Sequence, residues 1–340
     1  MTKSETITLE FEDNSHLPAL YGEHNANLAR IEQKTGVSFS PRGNILVLEG
    51  TRKACDNARQ IIINLHDNLD QGMEVTMGDV DGAIRMVDFF DITAKEKIIE
   101  RKDISNRENS IRTRNAIITP RSVNQARYVQ ALRESNMTFG LGPAGTGKTF
   151  LAVAMAVSHL LEGRVEKIVL TRPAVEAGEK LGFLPGDMRE KVDPYLRPLY
   201  DALGKMISME QTEKRLEQGD IEVAPLAFMR GRTLSNAFVI LDEAQNTSPM
   251  QMKMFLTRFG ENCRMVVCGD PSQVDLPNGT PSGLHHALNI LKNIDDISFI
   301  RFNADDVVRH PLVARIVRAY DNVQSTHIES AHIESTQAKK

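Results

Sequence analysis

The chain has 340 residues, of which 25% are charged and 41% hydrophobic, and its formal net charge is -4 at pH 7. This length favours two or three domains, and the slight acidity argues against a generally basic nucleic-acid coat while allowing a local basic patch. Three cysteines without CxxC spacing give little support to disulfides or a zinc site. No apolar run resembles a signal peptide or reaches membrane length, which predicts a cytoplasmic protein with no membrane partner.

Residues 1–70 predict a small α+β domain. Alternation of apolar and polar residues at 6–11 indicates a strand, and helical patterns cover 17–21 and the stretch that ends at Gly36. Two strands are then expected at 37–40 and 45–48, and a helix closes the unit. This order resembles a KH RNA-binding module, whose glycine-bearing turn clamps a nucleic-acid backbone. The turn from Gly22 to Asn25 lacks the second glycine and contains Glu23. Two roles stay open, RNA binding and partner docking by a degenerate KH-like fold.

Residues 71–118 predict a linker with helical segments. One amphipathic helix is expected near residues 80–90 and another around 95–100, within a charged run that extends from Lys95 to Arg114. A solvated connector is one interpretation of this run, and contact with a nucleic-acid backbone is the other.

Residues 119–323 predict an α/β domain built around a strand, a glycine loop and a helix. The loop and helix start comprise Gly142, Pro143, Ala144, Gly145, Thr146, Gly147, Lys148, Thr149 and Phe150. Glycines allow backbone NH groups to turn inward, and the helix start adds a positive dipole end, so the pattern predicts a site for the triphosphate of ATP. Lys148 would reach the β and γ phosphates, and the Thr149 hydroxyl would join the shell of a Mg²⁺ ion.

Gln125 precedes the loop at the position where helicase-like ATPases place an adenine-reading glutamine. A carboxamide can donate to and accept from an adenine edge together, but a helix-capping or surface glutamine is an equal alternative. Beyond the loop, Arg172 ends a buried-type strand and Lys180 lies in a glycine-rich segment. Loops after parallel strands line the ligand edge of a sheet, so both are candidates for nucleotide or nucleic-acid contact, or else ordinary surface charges.

An acidic pair forms the second strong signal. Asp242 and Glu243 follow four apolar residues, at the point where a buried strand leaves the sheet. Asp242 would hold the magnesium ion, and Glu243 would polarise the water that attacks the γ phosphate. Gln273, after the next strand, is the candidate sensor of the γ phosphate, with a plain turn residue as the alternative.

Four motifs together resemble the bacterial PhoH-like family over residues 119–322. They are the Lys148 loop, the run from Thr171 to Asp187, the Asp242-Glu243-Ala-Gln box and the Asp306-Val-Val-Arg309-His segment. The resemblance implies a RecA-like P-loop ATPase related to superfamily 1 helicases, a KH-like domain in front, and a role in RNA processing, with single-stranded RNA as a partner. It also suggests a functional link to the endoribonuclease of ribosomal RNA maturation.

The chain has room for one RecA-like domain after residue 119, whereas superfamily 1 helicases close nucleotide between two. The arginine that stabilises γ-phosphate charge must therefore come from elsewhere. We expect a homo-oligomer, a hexameric ring in which a neighbour supplies Arg309, with Arg230 or Arg232 as the next candidates. Residues 324–340 predict a disordered tail.

Two functions follow from these signals. The first is Mg²⁺-dependent ATP hydrolysis coupled to RNA binding or remodelling; the alternative is a nucleotide-switched adaptor for RNA or a nuclease, without translocation. Phosphotransfer to a small molecule is disfavoured, because Glu243 occupies the place of a water-activating base and no acceptor pocket is visible in the sequence.

Overall fold

The computed structural model describes residues 4–70, 72–96, 110–173, 188–277 and 279–307. Several sequence predictions fall outside these ranges, including those for Lys180, Arg309, the final helix and the tail at 324–340. Among the described residues, no helix combines the length and the apolar character that crossing a bilayer requires.

The first unit is a three-stranded antiparallel sheet packed against helices, in the strand order β1-β3-β2. Its elements are β1 (Glu5–Glu10), α1 (Leu17–Tyr21), α2 (Ala26–Thr35), β2 (Ser38–Arg42), β3 (Ile45–Gly50) and α3 (Arg52–Asp70). Helix α2 ends at Gly36 because its left-handed backbone, with φ of 72°, suits a residue without a side chain. The predicted small α+β domain is present.

Helix α4 (Met77–Glu96) extends this first unit. Its buried apolar face, which includes Val80, Ala83 and Ile84, belongs to the same core as the helices and sheet before it. Arg30 of α2 holds the helix by a bond of 2.7 Å from Nε to the Asp81 carboxylate. The amphipathic helix predicted near residues 80–90 is therefore present, and it buries its apolar face against the core of the first unit. Residues 97–109 of the charged run, for which a solvated connector and nucleic-acid contact were the two interpretations, lie outside the described residues.

A short hairpin and a larger sheet follow α4. Strands β4 (Ile111–Arg112) and β5 (Ile117–Ile118) pair antiparallel. The remaining elements are α5 (Val123–Glu134), β6 (Met137–Leu141), α6 (Lys148–Leu161), β7 (Lys167–Arg172), α7 (Met188–Met206), α8 (Met209–Gln218), β8 (Ile221–Pro225), β9 (Ala237–Leu241), α9 (Pro249–Leu256), β10 (Arg264–Gly269), α10 (Gly283–Ile290) and β11 (Ile297–Arg301).

The larger sheet has six parallel strands in the order β11-β6-β10-β9-β7-β8, with helices on both faces. Strand β9 is buried along its whole length, as expected for a strand covered on both sides. Helix α6 is apolar almost all round because it is enclosed by the sheet and its neighbours. This arrangement confirms the predicted α/β class with a RecA-like parallel sheet.

The strand order places the sequence signals together. Strand β10 lies between β6 and β9, so the loops at the carboxyl ends of these three strands meet at one edge of the sheet. The glycine loop follows β6 and the acidic pair follows β9. Ligands bind at such an edge in open parallel sheets, and it is there that the candidate site lies.

Candidate functional site

The glycine loop wraps around the buried ammonium group of Lys148. Three loop glycines, Gly142, Gly145 and Gly147, have positive φ angles of 136°, 85° and 86°. Nζ of Lys148 donates to the carbonyl oxygens of Gly142 at 2.6 Å and Pro143 at 2.8 Å. Burial lowers the pKa of Lys148 from its ordinary value. The ammonium group is thus poised beside the loop, at the start of α6, where helix geometry favours an anion.

Gly142 is expected to be intolerant of even one extra carbon. A Cβ atom there would lie 2.4 Å from the carbonyl oxygen of Phe302, and the backbone φ of 136° strains any other residue. We expect Gly142→Ala to lower the free energy of unfolding by about 2–3 kcal/mol, through overlap and strain together. Urea denaturation measures this loss.

Gly163→Ala is the matched control for that substitution. Gly163 also has a positive φ, of 69°, but no atom of the described part of the chain lies within 4 Å of its added Cβ. It should lose only the roughly 1–2 kcal/mol that a left-handed backbone costs. Equal losses in the two variants would show that contact with Phe302 does not constrain the loop.

A hydroxyl and two carboxylates form a set of oxygen ligands beside the loop. The Thr149 hydroxyl donates to Asp242 Oδ1 at 2.6 Å. Asp270, which follows β10, is buried; its Oδ1 accepts from Ser272, while Oδ2 has no hydrogen-bond partner among the described residues. Hard oxygen donors with a spare buried carboxylate oxygen fit a magnesium ion and its water shell. The predicted metal ligands Thr149 and Asp242 are in direct contact.

Arg172, at the end of β7, lies inside the site rather than on an open surface. Its Nε and Nη2 donate to Asp242 Oδ2 at 2.8 and 2.6 Å, and Nη2 lies 3.4 Å from Glu243 Oε1. The guanidinium therefore balances the charge of the acidic pair. Of the two interpretations left open by the sequence, the geometry favours a role at the nucleotide edge.

Glu243 projects from the strand end with its side chain 46% exposed. Its backbone is left-handed, with φ of 52°, a conformation that costs about 1–2 kcal/mol and is often retained at functional sites. Gln245 Nε2 donates to Glu243 Oε2 at 2.6 Å, and Gln245 Oε1 accepts from the Asp270 NH at 3.1 Å. The sequence assigned no role to Gln245, although an amide two residues after an acidic pair was a visible signal.

The loop and the carboxylates of Asp242, Glu243 and Asp270 border one cavity of about 240 Å³. Its walls are the glycine loop, the acidic pair, Asp270 and Gln273. The exposed side chain of Gln273 lies at its rim, and its backbone NH bonds the Asp270 carbonyl at 3.1 Å. The structure thus brings together Lys148, Glu243 and Gln273 with the candidate metal ligands.

Gln125 has a different environment from the one the sequence predicted. Its side chain is buried, its Oε1 accepts from the Arg121 NH at 2.7 Å, and its Nε2 donates to the Thr146 carbonyl at 2.9 Å. Both ends of the amide therefore brace the glycine loop, and reading an adenine edge would require both bonds to break. Helix capping is done by Ser122, whose hydroxyl accepts from the Gln125 NH.

Arg230 and Arg232, the two further candidates for the arginine that stabilises γ-phosphate charge, differ in their contacts within the chain. Arg232 makes bonds of 2.6 and 2.8 Å to both oxygens of Glu222 in its own chain, which lower the Glu222 pKa to about 2. Arg230 is exposed on the turn before it. Of these two arginines, Arg230 is thus the more exposed, and Arg232 is held by Glu222.

Comparison with known proteins shows the family to which the chain is related. The family described as PhoH-like protein matches residues 117–321. A PhoH-like protein of Bacillus subtilis (strain 168) is 48% identical over 304 residues, which cover 89% of this chain and 93% of that protein. A PhoH-like protein of Synechocystis is 45% identical over 321 residues, covering 94% and 96%. Protein PhoH of Escherichia coli (strain K12) is 46% identical over 205 residues, covering 60% and 58%.

Proposed function

The chain belongs to the PhoH-like protein family, and on that premise we propose that it is a magnesium-dependent ATP hydrolase whose turnover is coupled to binding and remodelling of single-stranded RNA. One observation carries the ATP part: the Lys148 loop, the Thr149–Asp242 pair and Glu243 border the same cavity. A phosphate cradle, oxygen ligands for a divalent cation and a carboxylate that can act on water are the parts that γ-phosphate hydrolysis requires.

In the proposed reaction the loop NH groups and Lys148 hold the β and γ phosphates. Thr149 and Asp242 would hold Mg²⁺, which when bound neutralises charge on the phosphate oxygens. To bind the phosphates, the Lys148 ammonium group exchanges its bonds to the loop carbonyls for bonds to phosphate. A hydrogen bond between two ionised groups is stronger than one from an ammonium group to a neutral carbonyl, so the exchange is favourable.

Glu243 acts on the attacking water. Its carboxylate orients the water and accepts its proton as the new bond to the γ phosphorus forms and the bond to the bridging oxygen breaks, leaving ADP and phosphate. Gln245 holds one carboxylate oxygen and leaves the other facing Arg172. In this proposal Gln273, which borders the cavity, holds the γ phosphate or the water through its neutral amide.

The RNA part of the proposal rests on the KH-like order of elements in the first unit and on what the sequence resemblance implies. Steady-state ATP hydrolysis by the purified full-length chain, with and without defined single strands of RNA, is the test. We expect RNA to raise the rate several-fold. ATP-dependent RNA binding that Glu243→Gln leaves unchanged, without stimulated turnover, would instead favour the adaptor function. Failure to bind ATP would contradict both.

We also propose that the active form is a homo-oligomeric ring in which a neighbour completes the site. Arg309 is the leading donor, with Arg230 next. Turnover per chain should then fall on dilution, as subunits separate. A strict monomer that hydrolyses ATP at the undiluted rate would contradict the ring. An endoribonuclease of ribosomal RNA maturation is the further partner that we propose.

A further inference from the structure

A second and larger cavity, of about 970 Å³, borders the glycine loop. Three parts of the chain contribute to its walls. The hairpin residues from Arg112 to Thr119 form one side, residues between Gly72 and Asp79 of the first unit form another, and Gly145, Gly147 and Phe150 form the floor. The cavity therefore lies where the first unit, the hairpin and the nucleotide loop come together.

This cavity lies next to the phosphate cavity. Both are bordered by the same three residues, Gly145, Gly147 and Phe150. The phosphate cavity, at about 240 Å³, has room for phosphates and metal but not for a whole nucleotide. The larger one falls within the roughly 300–1,000 Å³ typical of ligand pockets. A nucleotide whose phosphates occupy the first cavity has its remaining atoms directed into the second.

The walls have the chemistry of a nucleobase pocket. Ile117, Met73 and Phe150 offer apolar and aromatic surface. Lys205 Nζ lies 5.8 Å from the centre of the Phe150 ring, which keeps a cation at the edge of the pocket, near where ribose or α-phosphate oxygens would lie. Most of the remaining lining side chains are polar or charged, among them Asn115 and Thr119. Aromatic faces stack on bases, and polar groups beside them can bond base edges and ribose hydroxyls.

The hairpin is held rigidly enough to act as a wall. The Thr113 NH and hydroxyl both donate to the Ala116 carbonyl, each at 2.9 Å, which closes the turn. The Asn115 NH donates to the Met206 carbonyl at 3.2 Å, which fixes the turn to the end of α7. A preformed wall lowers the entropy that binding must overcome.

The opposite wall is fixed by contacts between α4 and the start of α5. Arg121 makes an ion pair of 2.9 Å with Asp79, and its backbone packs so closely on Gly82 that a Cβ there would lie 3.1 Å from the Arg121 Cβ. The Arg121 NH in turn bonds Gln125, which braces the loop at Thr146. The first unit is thus linked to the glycine loop through consecutive direct contacts.

We propose that this second cavity holds the base and ribose of the bound nucleotide and that the N-terminal unit closes it. The proposal rests on the proposed function, since it requires phosphates at Lys148. Gln125 also borders this cavity, but its amide is bonded to Arg121 and Thr146, so the proposal assigns base recognition to the hairpin and to the first unit. The proposal also implies that a ligand that shifts α4 changes the affinity for nucleotide, because the contacts of Arg121 connect α4 to the glycine loop.

The test compares the affinities of ATP and inorganic tripolyphosphate, measured by calorimetry on the full-length chain. Tripolyphosphate carries the phosphates without a base, so wild type should bind ATP at least about tenfold more tightly. Ala116→Trp and Met73→Trp fill the cavity from its two sides. Each should reduce ATP affinity to that of tripolyphosphate and leave tripolyphosphate affinity unchanged, which also shows that the variant is folded. The exposed positions Ala227 and Met209, changed to tryptophan, are the matched controls and should behave as wild type.

The outcomes separate the two proposals. Equal affinity of wild type for ATP and tripolyphosphate would overturn the base pocket while leaving the phosphate site intact. The base pocket would also be overturned if Ala116→Trp keeps the wild-type preference for ATP over tripolyphosphate. If only Met73→Trp keeps it, the closing role of the first unit is wrong. Binding of neither ligand, in a chain that is folded, would overturn the proposed function and the pocket together.

Discussion

Lys148→Ala is expected to weaken ATP binding by at least about 100-fold, or roughly 3 kcal/mol, and to abolish hydrolysis. The reason lies in the placement of the ammonium group: it is mostly buried, where Coulomb attraction to phosphate is little screened. Alanine removes that charge and leaves the loop NH groups alone to hold the phosphates. Equilibrium binding of ATP by calorimetry, together with a steady-state assay of phosphate release, measures both effects.

Lys253→Ala is the control for this substitution, because Lys253 is an exposed lysine on α9. It should bind and hydrolyse ATP as wild type does. The Lys148 variant should also remain folded, since removing a buried charge relieves a desolvation cost at the same time as it removes bonds to two loop carbonyls. Wild-type affinity in folded Lys148→Ala would exclude this loop as the phosphate site.

The parts of the site that could be predicted from the sequence are those whose residues lie close together along the chain. The glycine loop and the acidic pair each follow directly after a strand, so their functional residues occupy a few consecutive positions in the sequence. Their convergence also followed from a general rule, because carboxyl ends of parallel strands meet at one edge. What the sequence could not specify was that β10 separates β6 from β9, which brings Asp270 into the site.

Gln125 shows why longer-range roles were missed. An amide can read an adenine edge or bridge two backbone groups with the same atoms, so residue type does not separate the two roles. Its partner Thr146 lies 21 residues further along the chain, and only the fold brings the Thr146 carbonyl within 2.9 Å. The same limit applied to Arg172, whose partner Asp242 lies 70 residues away.

Helix α4 shows that the sequence also does not reveal which domain a segment packs against. Its apolar spacing was predicted near residues 80–90, but an amphipathic pattern does not say which surface will cover it. The structure supplies that surface from the N-terminal core, to which Val80 and Ile84 belong. The segment thus becomes a wall of the second cavity through Asp79, a role that composition alone would not indicate.

Glu243→Gln is expected to leave ATP affinity within about threefold of wild type and to reduce the turnover rate by roughly 10²–10⁴-fold. Glutamine keeps the shape of the side chain and an oxygen that can accept from Gln245, so the site should stay assembled. What it loses is the ability to take a proton from water. Because phosphate binding depends on the loop and the metal ligands, loss of turnover without loss of binding is the signature of this role.

The control is Glu261→Gln, which removes one charge from an exposed glutamate outside the cavity. It should match wild type in both measurements, so a change in net charge alone would be excluded as the cause. Single-turnover hydrolysis with enzyme in excess separates the chemical step from product release, and the defect should appear in that step. If Glu243→Gln hydrolyses ATP at the wild-type rate, the attacking water must be activated elsewhere, and Asp270, with its unpartnered buried oxygen, becomes the carboxylate to examine.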